Sequence, residues 1–387
     1  MTKLNFVHGN QLELLKSGQA FFPALIDAFH QAEQEIYLET YIWAQDSLSA
    51  SLTQALQQAV QRGVRVRLVI DWLGSNWQHA EQVTAELLEL GIACRCFNPW
   101  FKRGIARTHR KMAVIDQKLG FIGGINIIDD HIADDGSQQA LPFPRWDFAV
   151  RVAGPIVSHI HTEVDAQWRK AGQLNLVSRF ALLRHLRQDA KIERAKLSTA
   201  ALVIRDNFRN RRTILKTLMQ ALGNARQQVL LVTPYFAPGR RFRRAICVAA
   251  ARGVEVKLLL GVGQFRLQDA VAHAYYARLL KYGVKIYEYQ KTQLHAKLAV
   301  VDNDWSTIGS CNFDGLSLFV NHEANLVIKD ADFAARLRQQ IEAGIAEAQP
   351  IDAASYLQIP WYRKLGHNAA YLLYRSILRL LSYGHYG

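Results

Sequence analysis

The stretch His109-Arg110-Lys111-Met112-Ala113-Val114-Ile115-Asp116 is followed after six residues by Gly123-Gly124-Ile125-Asn126. A second copy keeps the same spacing: His295-Ala296-Lys297-Leu298-Ala299-Val300-Val301-Asp302, six residues, then Gly309-Ser310-Cys311-Asn312. One such string alone reads no better as a catalytic motif than as a half-buried strand ending in an Asp turn. Two copies, with matching Gly and Asn, mark a duplicated unit and a site.

Working outward, the same grammar surrounds both copies. Before the first, a helical period over Phe21 to Glu33 leads to a strand over Ile36 to Trp43. A helix over Leu52 to Gln61 ends at Arg62-Gly63, and an apolar strand follows over Val64 to Asp71. A helix over Val83 to Leu90 and the strand Ile92 to Phe97 complete the series. Cys94 and Cys96 alternate on that last strand as one-face packing residues. Past residue 200 the order restarts: helix Arg212 to Leu222, strand Val229 to Phe236, helix Arg241 to Ala251, strand Val254 to Leu260, helix Val271 to Lys281, strand Gly283 to Tyr287. Tyr41 and Tyr235, Gly63 and Gly253, Gly91 and Gly283, and His109 and His295 keep nearly constant offsets, as a duplication with loop-length drift requires. The expected fold class is α/β: two duplicated α/β/α halves with mixed sheets, related by a pseudo-twofold. The expected boundaries are a first half over 1–175, a basic linker over 176–200, a second half over 201–348 and a C-terminal amphipathic tail over 349–387.

In an extended strand alternate side chains share a face, so each copy presents one imidazole and one ammonium together: His109 with Lys111, His295 with Lys297. The Asn126 and Asn312 amides and the Ser310 hydroxyl are donors suited to an anion. If the pseudo-twofold joins both faces, the result is a phosphate-binding constellation. One histidine attacks phosphorus while the other, with an ordinary pKa of about 6.5, protonates the leaving alkoxide, and the roles then reverse. A nucleophilic imidazole needs an acceptor on its other nitrogen, and Asp147 and Glu323 are the candidates for orienting the histidines. Asp116 and Asp302 complete the motifs, catalytic by position but on the opposite strand face, which favours a structural role. Metal is disfavoured, since each copy sets a Lys beside its His, and no cofactor is called for. His159 and His161 diverge on a helix and read as non-ligands. Asp129, Asp130, Asp134 and Asp135 form an acidic loop expected to stay solvated.

These paired motifs resemble the phospholipase D superfamily, with its two H-K-D signatures, over nearly the whole chain. Within it the likeness is to bacterial cardiolipin synthases of the short kind without N-terminal transmembrane helices. The likeness rests on Leu38-Glu39-Thr40-Tyr41-Ile42, Phe121-Ile122-Gly123-Gly124-Ile125-Asn126-Ile127, Arg205-Asp206-Asn207, Tyr235-Phe236-Ala237-Pro238-Gly239, Leu294-His295-Ala296-Lys297 and Asn321 to Asn325. The resemblance implies a phospholipase D-like fold and phosphatidyl transfer: phosphatidylglycerol attacked at phosphorus, glycerol leaving, and a second lipid's hydroxyl resolving a phosphatidyl-histidine to give cardiolipin. By analogy His109 is the nucleophile and His295 the acid/base, while the symmetry of the copies permits the reverse. Gly124 stands where the second copy has Ser310, so the halves are not expected to work equally.

The formal charge of +14 points to an anionic partner. Arg240, Arg241, Arg243 and Arg244 could hold an anionic bilayer or simply solvate a helix. The basic segment from Arg179 to Lys196 divides in the same way. The tail after Pro360, with Tyr, Leu and Arg from Ala369 to Leu381, is too short and charged to span a bilayer. It suits an interfacial helix or packing on the protein itself. With neither a secretory signal nor a spanning run, the expected place is the cytoplasmic face of the cell membrane, bound peripherally, with the membrane surface and phosphatidylglycerol as partners and nucleic acid disfavoured. A phospholipase D-type hydrolase or nuclease is the competing enzyme reading, and a non-catalytic binder of anionic membranes or nucleic acid the reading from another class. The sequence carries no signature of an oligomeric state.

Overall fold

The computed structural model describes residues 4–102, 104–172 and 198–381. The basic segment from Arg179 to Lys196 lies outside the described residues. The chain divides into two compact units, one of residues 5–130 and 148–202, the other of Leu4, residues 131–147 and residues from 203 onward.

The first unit is built on the strands β1 (Val7–Lys16), β2 (Glu35–Thr40), β3 (Arg65–Asp71), β4 (Ala93–Phe97), β5 (Met112–Ile115), β6 (Leu119–Gly123) and β7 (Phe148–Ala153). The order is β1-β7-β6-β5-β2-β3-β4. β2, β3 and β4 run parallel, joined by helices at Ser47–Gln61 and Trp77–Glu89, while β5, β6, β7 and β1 are antiparallel. The parallel strands are apolar because helices cover them: Phe22, Leu25 and Phe29 of the helix Ser17–His30 pack with Leu38, Leu68 and Ile70. The helix Ser47–Gln61 starts where Asp46 and Ser49 exchange hydrogen bonds, a capping box, and stops before Gly63, whose φ of 89° only glycine adopts readily.

After β8 (Ser198–Arg205), the second unit repeats the plan with β9 (Gln228–Thr233), β10 (Glu255–Gly261), β11 (Lys285–Tyr289), β12 (Leu298–Val301), β13 (Trp305–Gly309) and β14 (Glu323–Lys329). The order β11-β10-β9-β12-β13-β14 matches β4-β3-β2-β5-β6-β7, again three parallel strands followed by an antiparallel run. Leu230, Val232 and Leu259 share the sheet face covered by the helix Ala331–Ala346, whose Phe333 and Leu337 are buried with them. The fold is therefore α/β with mixed sheets and a duplicated strand order.

Element limits shift modestly from the sequence reading. The strand expected over Ile36 to Trp43 ends at Thr40, because Ile42 and Trp43 turn to bond Asn126 and Ser75. The tail carries a short helix, Ala353–Leu357, and, past Pro360, a long one, Trp361–Leu381. No described helix is long and apolar enough to cross a membrane.

Candidate phosphate-transfer site

In both copies the ordered strand begins just after the motif lysine, at Met112 and at Leu298. His and Lys thus sit on the lead-in to that strand, where a side chain to main chain bond links them. The ammonium of Lys111 donates to the carbonyl of His109 at 2.7 Å, and Lys297 donates to the carbonyl of His295. Both lysines and both histidines are buried. The glycines do what close packing demands: a Cβ on Gly123 would lie 2.5 Å from the Ala149 Cα, and one on Gly309 2.6 Å from the Asn325 Cα.

In the first unit the motif is braced from below. Glu39 on β2 binds Arg110 with both oxygens, at 3.0 Å to Nε and 2.6 Å to Nη2, and also accepts from the Thr108 hydroxyl. The pair is fully buried, and Arg110 reaches Glu163 on the helix Ile156–Ala171 at 3.4 Å. Asp71, at the end of β3, accepts from the amides of Thr108, Leu73 and Gly74 at 2.8 to 3.0 Å. Burial pushes its carboxyl up to about 6 even though Arg107 and these amides pull it down. Tyr41 closes over the motif, edge-on to His109 at 4.9 Å and with Lys111 5.2 Å from its ring centre. Asn126 accepts from the Ile42 amide through Oδ1 at 3.3 Å, so the other end of its amide is the donor.

In the second unit His295 is held by residues that precede it far back in the chain. Its Nδ1 lies 2.6 Å from Oδ2 of Asp147, and its Nε2 lies 3.5 Å from Oδ2 of Asp134. The main chain locks this in, because the amides of His295 and Ala296 donate to the Trp146 carbonyl and the Trp146 amide donates to Gln293. Burial pushes the Lys297 ammonium down to about 8, against the pull of Asp147, Asp134 and Glu323. Asn312 is buried, with Oδ1 lacking a hydrogen-bond partner among the described residues.

Several expectations change. Ser310 gives its hydroxyl proton to Glu323 at 2.5 Å and accepts from the Ala324 amide at 3.1 Å, so it braces Glu323 rather than offering a donor to phosphate. Glu323 is wholly buried above the loop that Arg205 secures through the carbonyls of Phe319 and Asn321. Asp116 accepts from the amides of Glu33, Gln34 and Glu35 at 2.8 to 2.9 Å, and Asp302 from those of Arg226, Gln227 and Gln228. Both aspartates sit at left-handed turns past the ends of β5 and β12, away from the histidines of their motifs. The acidic loop is not solvated throughout: Asp130 is buried and accepts from the Gly18 amide, and the Asp134 side chain is only 5% exposed. Glu39 entered only within the stretch Leu38 to Ile42, while Asp71, Arg145 and Gln293 had no motif to single them out. A charged residue inside an apolar strand, as Glu39 is, was the signal for the first.

Each unit's arrangement suits phosphoryl chemistry: a buried imidazole, in the second unit with its tautomer set by a carboxylate, linked to a buried ammonium, with a buried amide in the same motif. Among the described residues no group of His, Cys, Asp and Glu could hold a metal ion.

The family described as "Cardiolipin synthase, PLD-like domain" matches residues 25–135 and 218–344, the segments that carry the two motifs. Cardiolipin synthase B of Escherichia coli (strain K12) is 35% identical over 372 residues, covering 93% of this chain and 86% of that protein. Cardiolipin synthase A of Pectobacterium atrosepticum is 27% identical over 367 residues, covering 93% and 74%. The crystal structure of phosphatidylserine synthase from Haemophilus influenzae Rd KW20 superposes with a TM-score of 0.71 over 98% of this chain and 97% of that one. At 14% identity this last likeness concerns the fold alone.

Proposed function

The chain belongs to the cardiolipin synthase, PLD-like family, and from that premise we propose that it is a phosphatidyltransferase making cardiolipin from phosphatidylglycerol. The observation that carries this reading is the repeated His–Lys link, buried in both copies, with the His295 imidazole oriented by Asp147.

His109 attacks the phosphorus of phosphatidylglycerol, forming a P–N bond as the bond to the glycerol oxygen breaks. His295 gives that oxygen its proton. A hydroxyl of the acceptor lipid then returns a proton to His295 as its oxygen bonds to phosphorus, and the P–N electron pair goes back to His109. Lys111, Lys297, Asn126 and Asn312 stabilise the charge that builds on the non-bridging oxygens. The assignment of His295 to proton transfer is supported by Asp147 on its Nδ1, which fixes the tautomer and leaves Nε2 to exchange the proton.

The helix Trp361–Leu381 supplies the lipid-facing surface in this reading. Its inner face packs on the second unit: Tyr371 meets Tyr275 edge-on, the His367 ring stacks on His273, and the Gly315 amide donates to the Tyr374 hydroxyl. The outer face exposes Trp361, Leu365, Leu372, Leu373 and Leu380, with Lys364, Arg375 and Arg379 along one margin. Of the two alternatives read from the sequence, self-packing describes the inner face, and the exposed apolar side chains of the outer face support an interfacial helix. Lying flat on an anionic bilayer buries those apolar side chains, and each cation near the surface adds about 1 kcal/mol. Of the arginines after β9, Arg243 lies over the Tyr275 ring. Arg240, Arg241 and Arg244 are exposed and available to headgroups.

Mass spectrometry of products from labelled phosphatidylglycerol vesicles tests the reading. Cardiolipin is expected from the wild type and is lost in His109→Ala and His295→Ala. Phosphatidic acid as sole product makes the protein a hydrolase, and cleavage of single-stranded DNA with the lipid untouched makes it a nuclease.

A further inference from the structure

Asp134 belongs to no motif. Its carboxylate nevertheless lies beside Nε2 of His295, on the opposite side of the ring from Asp147. Oδ1 accepts from the side-chain amide of Gln264 at 2.6 Å and from that of Gln293. Each amide is turned so that its nitrogen faces Asp134. The oxygen of Gln264 accepts from the Tyr235 hydroxyl at 3.5 Å, and that of Gln293 accepts from Arg145 Nε at 3.0 Å and from the Asp134 amide at 3.3 Å. Four side chains from separate loops thus aim one carboxylate at the nitrogen that handles the proton.

The two sides of the His295 ring differ. At Nδ1 the contact is a short charge-assisted bond of 2.6 Å. At Nε2 the separation is 3.5 Å, beyond the roughly 2.7–2.9 Å of such a bond. With Nδ1–H given to Asp147, the neutral ring presents Nε2 as an acceptor beside Oδ2 of Asp134, 3.5 Å apart, a spacing at which adjacent hydroxyls of one molecule can each donate to its own partner. Ionised Asp134 accepts only, while the amides donate, and a hydroxyl does both. An ammonium headgroup fits less well, because Arg145 and Lys297 already balance Asp134 and Asp147. Although burial raises the Asp134 carboxyl, His295, Arg145 and Lys297 outweigh it and keep the group ionised.

We propose that Asp134, Gln264 and Gln293 form the hydroxyl-binding subsite for the group that leaves and the group that arrives at phosphorus, selecting a polyol with a hydroxyl beside the reacting one. This deepens, and rests on, the transferase reading. In the resolving step the reacting hydroxyl gives its proton to Nε2 of His295 as its oxygen bonds to phosphorus, and the P–N pair returns to His109. The neighbouring hydroxyl donates to Oδ2 of Asp134 and stays intact. The departing glycerol of the first step has the same pair of hydroxyls and uses the same subsite in reverse.

The test offers phosphatidylglycerol vesicles with equal deuterium-labelled glycerol and propan-1-ol and compares the two transfer products by mass spectrometry, the label separating new phosphatidylglycerol from the substrate. Wild type should favour glycerol. Asp134→Asn, which keeps the shape and loses the charge, should lower that preference about tenfold or more, the worth of one hydrogen bond to a charged group. A folded Asp134→Asn protein with the preference unchanged, or with both products lost equally, overturns the proposal. If that variant does not fold, Gln264→Leu decides in its place: a reduced preference supports the subsite and an unchanged one overturns it. Wild-type protein that leaves phosphatidylglycerol unconsumed overturns the transferase reading itself, a result distinct from an unselective but active enzyme.

Discussion

Oδ2 of Asp147 lies 2.6 Å from Nδ1 of His295, although the two residues are 148 positions apart in the chain. The carboxylate fixes which ring nitrogen carries the proton and leaves Nε2 for chemistry. Asp147→Asn removes the charge while keeping the shape, so kcat should fall roughly 10²- to 10⁴-fold, the usual worth of a positioned acid/base. KM and the thermal midpoint should change little. A variant with wild-type kcat would remove Asp147 from the mechanism.

Lys297 sets a pH limit. Its ammonium, near 8 in the folded protein against 10.5 ordinarily, is charged below that value and neutral above it. If the charge holds phosphate, kcat/KM falls as pH rises through about 8. Stability moves the other way: between about 8 and 10.5 the unfolded chain binds a proton that the folded one does not, so folding gains with rising pH. In Lys297→Arg the alkaline limb of the rate profile should move upward, whatever the absolute rate. A limb left in place would assign it to another group.

Asp116 and Asp302 separate structural from catalytic roles. Replacing either with Ala orphans the main-chain amides it accepts from, and each substitution should cost about 1–3 kcal/mol in chemical denaturation. The rate per folded molecule should persist. Backbone hydrogen bonds hold the Asp116 carboxyl below its usual range despite the opposing effect of burial. Its contribution is therefore present at neutral pH and lost as pH falls through the folded value. Loss of turnover in a stably folded Asp116→Ala protein would contradict this role.

The outer face of the C-terminal helix predicts membrane affinity. Leu372→Ser with Leu380→Ser removes two exposed leucines from that face, each worth about 1.5–3 kcal/mol if fully buried. Co-sedimentation with anionic vesicles should drop at least tenfold, with the thermal midpoint kept. Equal binding by variant and wild type would move the lipid contact elsewhere.

Much of the fold was legible because its signals are local. The apolar runs of β3, β9 and β10 and the glycine stops after their helices name themselves, and the equal spacing of the two motifs reveals the repeat. β1 was not legible, since His8, Asn10, Gln11 and Glu13 dilute its apolar content. Asp147 and Glu323 could be picked as orienting acids, yet nothing local said that the acid after the first motif serves the histidine of the second. Asp134 was missed for a related reason: an acidic loop is ordinarily hydrated, and its burial depends on Arg145, Lys297 and His295, which folding alone assembles.

Residues 131–147 are inserted between β6 and β7 of the first unit but are counted with the second. The two halves are consequently not interchangeable modules. A gene cut between them would yield a C-terminal fragment whose imidazole lacks both of its acidic neighbours, and an N-terminal fragment with a stranded excursion. Mixing separately expressed fragments should restore turnover only if that excursion docks in trans.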